Sequence, residues 1–209
     1  GTWVDGVWYH AIYTENNLIS MDPATGARTI IGPLGTQING LTYDVTTGVM
    51  YGVDYDAGVP GQTGLYSIDM TTGAATLIGG TANGELVINL GSPSTGGLYG
   101  VDLVNDEFGM LDPATGAWTT IGPIGFDANY AQDLEFDRDN DLCYFAAYNN
   151  TAGGGQLHIV DVATGAPTLL GDFEGGMEVC GFAIPYSTGI NADLTAFLRR
   201  EGVWQEYAA

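Results

Sequence analysis

Asp112-Pro113-Ala114-Thr115-Gly116-Ala117-Trp118-Thr119-Thr120-Ile121-Gly122 is a polar turn that runs into a β-prone segment, and it recurs. Asp22-Pro23-Ala24-Thr25-Gly26 leads into Arg28-Thr29-Ile30-Ile31-Gly32. Asp69-Met70-Thr71-Thr72-Gly73 ends in Ile78-Gly79, and Asp161-Val162-Ala163-Thr164-Gly165 ends in Leu170-Gly171. The four Asp residues are 47, 43 and 49 residues apart. A self-similar period in the forties marks a repeat architecture. Asp can bond the backbone two residues on, and Gly takes the left-handed position that closes the turn. These four Asp residues are therefore read as turn formers.

Before each turn stands an alternating run: Leu18-Ile19-Ser20-Met21, Leu65-Tyr66-Ser67-Ile68, Phe108-Gly109-Met110-Leu111 and Leu157-His158-Ile159-Val160. Period-two runs joined by a Gly turn read as hairpins. Further upstream lie pairs of short strands. Ile38–Asp44 turns into Val49–Asp54, Leu86–Leu90 precedes Leu98–Asp102, and Asp133–Phe136 turns through 137–141 into Leu142–Ala147. The unit is four strands, and four-stranded sheets repeated radially form a β-propeller. Trp8-Tyr9 aligns with Met50-Tyr51, Leu98-Tyr99 and Cys143-Tyr144, so the chain begins at a second strand. Val179–Pro185 aligns with the first strands Asn39–Asp44 and Gln132–Asp137. The expected fold is all-β: a four-bladed propeller over 1–186 closed by a split blade, with a C-terminal tail over 187–209. Its blades are 1–35 plus 177–186, 38–80, 85–125 and 130–175.

Composition narrows the function classes. Gly is abundant, at 33 residues, as a turn-rich β chain requires. There are 25 Asp and Glu against four cations, Arg28, Arg138, Arg199 and Arg200, for a net charge of −21. No basic patch exists to meet phosphate, which argues against nucleic acid. The same acidity disfavours anionic membranes, and no apolar run is long enough for a span. Such a surface attracts cations, Ca²⁺ included. A start at Gly1 with no visible leader suggests a mature or trimmed chain.

The repeats Gly40-Leu41-Thr42-Tyr43-Asp44-Val45-Thr46-Thr47-Gly48, Met50-Tyr51-Gly52-Val53 and Leu65-Tyr66-Ser67-Ile68-Asp69-Met70-Thr71-Thr72-Gly73 resemble the Asp-x-x-Thr-Gly propellers of secreted, multidomain bacterial cell-surface proteins. The stretches 122–133 and 176–185 are similar as well. The resemblance implies export and a non-catalytic role, and it brings no site residues with it.

Several residues could carry chemistry. His10 and His158 are the sole histidines, and no nucleophile, zinc-protease or phosphate-loop motif accompanies them. Asp133, Glu135 and Glu178 lie on expected innermost strands, where paired carboxylates could serve glycoside hydrolysis. Asp137, Asp139 and Asp141 alternate as a Ca²⁺ loop would, but Leu142 stands where the loop Gly belongs. Cys143 and Cys180 fall on neighbouring inner strands of the ring, either as a disulfide across the closure or as two buried thiols. Asn149-Asn150-Thr151 is a glycosylation acceptor pattern. The loop aromatics Tyr55, Phe126, Tyr130 and Phe173 could stack on sugar rings.

In the tail, Leu194, Phe197 and Leu198 share one face of an expected short helix, with Arg199 and Arg200 in its last turn and Trp204 and Tyr207 beyond. This apolar, basic segment would dock on the acidic surface of another copy or on its own propeller. The leading expectation is a non-enzymatic extracellular structural module that self-associates, into a filament or with neighbouring surface domains, through that tail. The second is a glycan- or peptide-binding adhesion module that uses the loops around the propeller axis.

Overall fold

The computed structural model describes residues 1–55 and 62–187. Four antiparallel sheets stand in a ring, the arrangement of a four-bladed β-propeller. Blade one is β1 (Thr2–Val4), β2 (Val7–Ile12), β3 (Asn17–Met21) and β4 (Arg28–Pro33). Blade two is β5 (Gly40–Asp44), β6 (Val49–Tyr55), β7 (Thr63–Ile68) and β8 (Ala75–Gly80). Blade three has β9 (Leu98–Asp102), β10 (Glu107–Leu111) and β11 (Trp118–Pro123). Blade four is β12 (Ala128–Asp137), β13 (Leu142–Asn149), β14 (Gly154–Val160) and β15 (Pro167–Asp172).

The innermost strand of blade three is interrupted. Val87 bridges Asp102 and Gly91 bridges Tyr99. Between them the Asn89 side chain does the work of a backbone carbonyl, accepting the Val101 N–H on Oδ1 at 2.9 Å. The pairings place Thr2 opposite Tyr9, Thr42 opposite Tyr51, Gly91 opposite Tyr99 and Glu135 opposite Tyr144. These four positions are equivalent around the axis.

The repeated turns form as the sequence predicts. Oδ1 of Asp22, Asp69, Asp112 and Asp161 accepts the N–H two residues on, at 2.7–2.9 Å. Gly26, Gly73, Gly116 and Gly165 close them at φ of 71–81°. Each blade carries a bulge where its third strand meets its fourth, skipping Ile31, Ile78, Ile121 and Leu170. A bulge re-aims the extra side chain. Here it turns three of the four into the next blade: Ile31, Ile78 and Ile121 pack against the buried clusters that join blades one to two, two to three, and three to four.

The following glycine completes each joint. A Cβ on Gly32, Gly79 or Gly122 would collide with the carbonyl of Thr72, Thr115 or Thr164, in the turn of the next blade. The repeated stretch is thus also the blade-to-blade lock. At the seam between blades four and one the lock is missing. Among the described residues nothing lies within 4 Å of a Cβ built on Gly171, and Leu170 is 51% exposed.

The closure corrects the sequence reading. Blade one draws all four strands from the N-terminal region, with Thr2–Val4 innermost, so no blade is split. Residues 179–185 form no strand. They lie instead as an irregular wedge in the seam, with Val179 and Phe182 beside Tyr144, Ala146 and Leu157, and Cys180 and Gly181 beside Trp8 and His10. Phe182 N–H donates to Asp133 Oδ2 at 2.8 Å. Val179–Pro185 imitates the apolar pattern of an inner strand, while the three-residue β1 is too short to show periodicity.

Candidate functional site

The innermost strands all run in one direction, so their starts gather at one face of the ring and their ends at the other. The two faces differ in chemistry.

At the far face Arg138, in the turn after β12, reaches onto the axis and is buried there. Its Nε donates to Ser92 O at 2.9 Å, Nη1 to Trp3 O at 3.3 Å, and Nη2 to Tyr43 O at 2.7 Å. The three carbonyls occupy equivalent positions of blades three, one and two. Nη2 also lies 3.4 Å from Glu135 Oε1 of its own blade. Tyr186 covers the guanidinium from outside, its ring centre 4.8 Å from Cζ. One side chain therefore ties all four blades together and plugs this end. The sequence signalled it only as an Arg three residues after a Glu in a chain with four cations.

Glu135 is fully buried, and burial pushes its carboxyl up to about 7 although Arg138 and the Phe136 N–H favour the ionised form. The guanidinium is shared among three carbonyls, which weakens its hold on the carboxylate. Asp133, one pleat away, accepts the Gly1 amine at 2.9 Å. Glu178 is exposed in the wedge, apart from that pair.

Among the described residues the near face is open. A cavity of about 340 Å³ is lined by His10, Ile12 and Tyr13 of blade one, Asn39 of blade two, Ile88 of blade three, Tyr130 and Gln132 of blade four, and Cys180 of the wedge. Every blade contributes. The Gln132 amide in its lining is fixed across blades three and four: Asn89 Nδ2, buried behind it, donates to Gln132 Oε1, and Gln132 Nε2 donates to Asn129 O at 2.8 Å. At the rim Tyr13 is 49% exposed and Tyr130 62%. Tyr55, also exposed, adjoins from blade two, where its N–H donates to Asn39 Oδ1 at 3.1 Å. Burial, aided by the Gly1 amine, lowers His10 to about 4, so its imidazole is neutral at pH 7. The mouth thus offers aromatic faces and uncharged hydrogen-bonding groups.

Other sequence candidates fall elsewhere. His158 is buried in blade four with its ring centre 5.0 Å from Phe126, so Phe126 is packing, not rim, and Phe173 is only half exposed beside the wedge. Asp137, Asp139 and Asp141 do not converge. Asp137 accepts from Asp139 N and Asn140 Nδ2, Asp139 from Ser187 N and Oγ, and Asp141 from Ser94 N and Oγ. Among the described residues no group of three or more His, Cys, Asp or Glu could hold a metal ion. Neither alternative for the cysteine pair holds: they form no disulfide, and Cys143 is a buried free thiol while Cys180 is an exposed one. Cys180 stays outside because 179–185 is a surface wedge rather than an inner strand. Asn149 Nδ2 donates to Gln156 Oε1 at 3.0 Å, and Oδ1 accepts from Thr151 N and Ala152 N, so the amide of the acceptor pattern is engaged. Leu194, Phe197, Leu198, Arg199, Arg200, Trp204 and Tyr207 lie outside the described residues.

The fold defines the class, a four-bladed β-propeller. Residues 87–183, from the interrupted strand of blade three to the wedge, match a family described as a domain of unknown function (DUF4394), and the match spans just under half of the chain. Solved structures with a similar fold are numerous, 236 chains in all. One is a structural genomics protein of unknown function from Bacteroides thetaiotaomicron, 15% identical, with a TM-score of 0.56 over 78% of this chain. This chain spans 40% of that protein's length. No curated protein matches the chain.

Proposed function

We propose that this propeller is a non-enzymatic binding module for neutral glycans, exposed outside a bacterial cell, with the open axial mouth as its ligand site. The observation that carries the reading is the cavity to which every blade contributes, rimmed by exposed Tyr13 and Tyr130 and lined by the amides of Asn39 and Gln132. Ligand sites are concave and largely apolar, with a few placed polar groups. Sugar rings present C–H faces that suit aromatic side chains, and hydroxyls that suit amides and a neutral imidazole. The net charge of −21 repels acidic sugars, which points to neutral ones. The extracellular assignment rests on the resemblance of the repeats to secreted surface propellers and on the lysine-free acidic surface.

A neutral-glycan array probed with the full chain tests this. Reproducible binding that Tyr130→Ala removes is the expected result. A blank array at high protein concentration overturns it.

A further inference from the structure

Three equivalent positions of the innermost strands carry polar side chains beside the Arg138 plug: Thr2 of blade one, Thr42 of blade two and Glu135 of blade four. All three are fully buried. Among the described residues, Thr2 Oγ1, Thr42 Oγ1 and Glu135 Oε2 have no partner in hydrogen-bonding geometry. The fourth equivalent position is Gly91, which has no side chain to reach inward. Trp3 and Tyr43, the residues after the two threonines, give their carbonyls to the guanidinium, so the three orphan oxygens lie on strands held side by side by one group.

Buried polar atoms without partners are costly, and native proteins rarely leave one unanswered. Three lie in one axial layer, with the Thr2 hydroxyl close enough to Glu135 to favour its ionised form but not in hydrogen-bonding geometry, and they leave a place for an inserted atom. The donors are all oxygens and one is a carboxylate, the set that hard cations take. Arg138 does not neutralise Glu135 fully, since Nη2 is 3.4 Å from Oε1, and the Thr2 hydroxyl and the Gly1 amine add only weaker support to the ionised form. A single carboxylate beside a guanidinium carries too little negative charge for a divalent ion but can hold a singly charged one. The chain's net charge of −21 raises the local concentration of cations.

We propose that the axial space bounded by Glu135 Oε2, Thr2 Oγ1 and Thr42 Oγ1 binds one alkali cation, sodium or potassium. The ion bridges blades one, two and four and completes the plug that Arg138 begins. This holds whether or not the mouth binds glycans.

Thermal unfolding of the full chain at pH 8 in sodium, potassium or choline chloride at equal ionic strength tests it. A saturable rise in Tm of about 5 °C in one alkali salt over choline is expected. Thr42→Val should lose at least half of that rise. Crystals soaked in thallous acetate, a stand-in for potassium, give a reading that needs no variant. An anomalous peak about 3 Å from Glu135 Oε2 is expected. Equal Tm values in all three salts, with no axial peak, would overturn the proposal and leave the space to water or to a proton on Glu135.

Discussion

Arg138 Nη2, from blade four, donates to the Tyr43 carbonyl of blade two at 2.7 Å while lying 3.4 Å from Glu135 Oε1. A single nitrogen thus links opposite blades and the buried carboxylate between them. Removing it leaves a buried acid with only the weaker field of the Gly1 amine to favour its charge. Arg138→Met should cost about 3–5 kcal/mol in urea unfolding at pH 8, as breaking a buried ion pair does. Adding Glu135→Gln should recover part of the loss. A loss below about 1 kcal/mol would mean that the plug does not hold the ring.

The pH dependence of stability has two opposing parts. Glu135 is raised from 4.5 to about 7, so between these values the native state holds more protons, and stability falls as pH rises. His10 is lowered from 6.5 to about 4, so there the unfolded state holds more protons, and stability rises with pH. The two largely cancel between about pH 4.5 and 6.5 in the parent chain. Glu135→Gln removes the falling part, so its stability relative to the parent should climb from pH 4.5 to 7, by at most about 3 kcal/mol. Urea midpoints at half-unit pH steps would show this, and a difference that stays flat with pH would contradict it.

The glycines that end the outer strands should not respond alike to a methyl group. Gly79→Ala drives a Cβ into the Thr115 carbonyl, whereas Gly171→Ala meets no atom of the described residues. Overpacking costs of about 1–3 kcal/mol are expected for Gly79→Ala. For Gly171→Ala the change should stay within about 0.5 kcal/mol. Equal losses at both positions would show that the seam is closed like the other joints.

The thiols should be told apart by reagent. Native protein should react with one equivalent of a thiol reagent, at exposed Cys180. Cys143 is buried with its thiol pushed well up by burial, so it should react only after unfolding. No reaction even in urea would restore the disulfide.

These features were unequally legible in the sequence. The Asp-x-x-Thr-Gly turns follow from short-range chemistry: an Asp side chain, a backbone N–H two residues on and a left-handed Gly. Their spacing counts the blades. The closure could not be read, because Val179–Pro185 has the composition of an inner strand and only packing decides that Thr2–Val4 takes the place. Arg138 was hidden for a similar reason. Its three carbonyl partners lie 46 to 135 residues away, and backbone acceptors leave no mark on sequence. The mouth was half visible. Tyr55 and Tyr130 stood out as loop aromatics, but His10 and Tyr13 join them only through the ring.

The most direct test of the axial mouth as the binding site is a chemical-shift titration of isotope-labelled full chain with a neutral oligosaccharide selected on the array. Shifts concentrated at Tyr13, Asn39, Ile88 and Tyr130, with the turn face around Arg138 silent, are the predicted result. Shifts on the turn face or the outer strands, with the mouth unchanged, would contradict it.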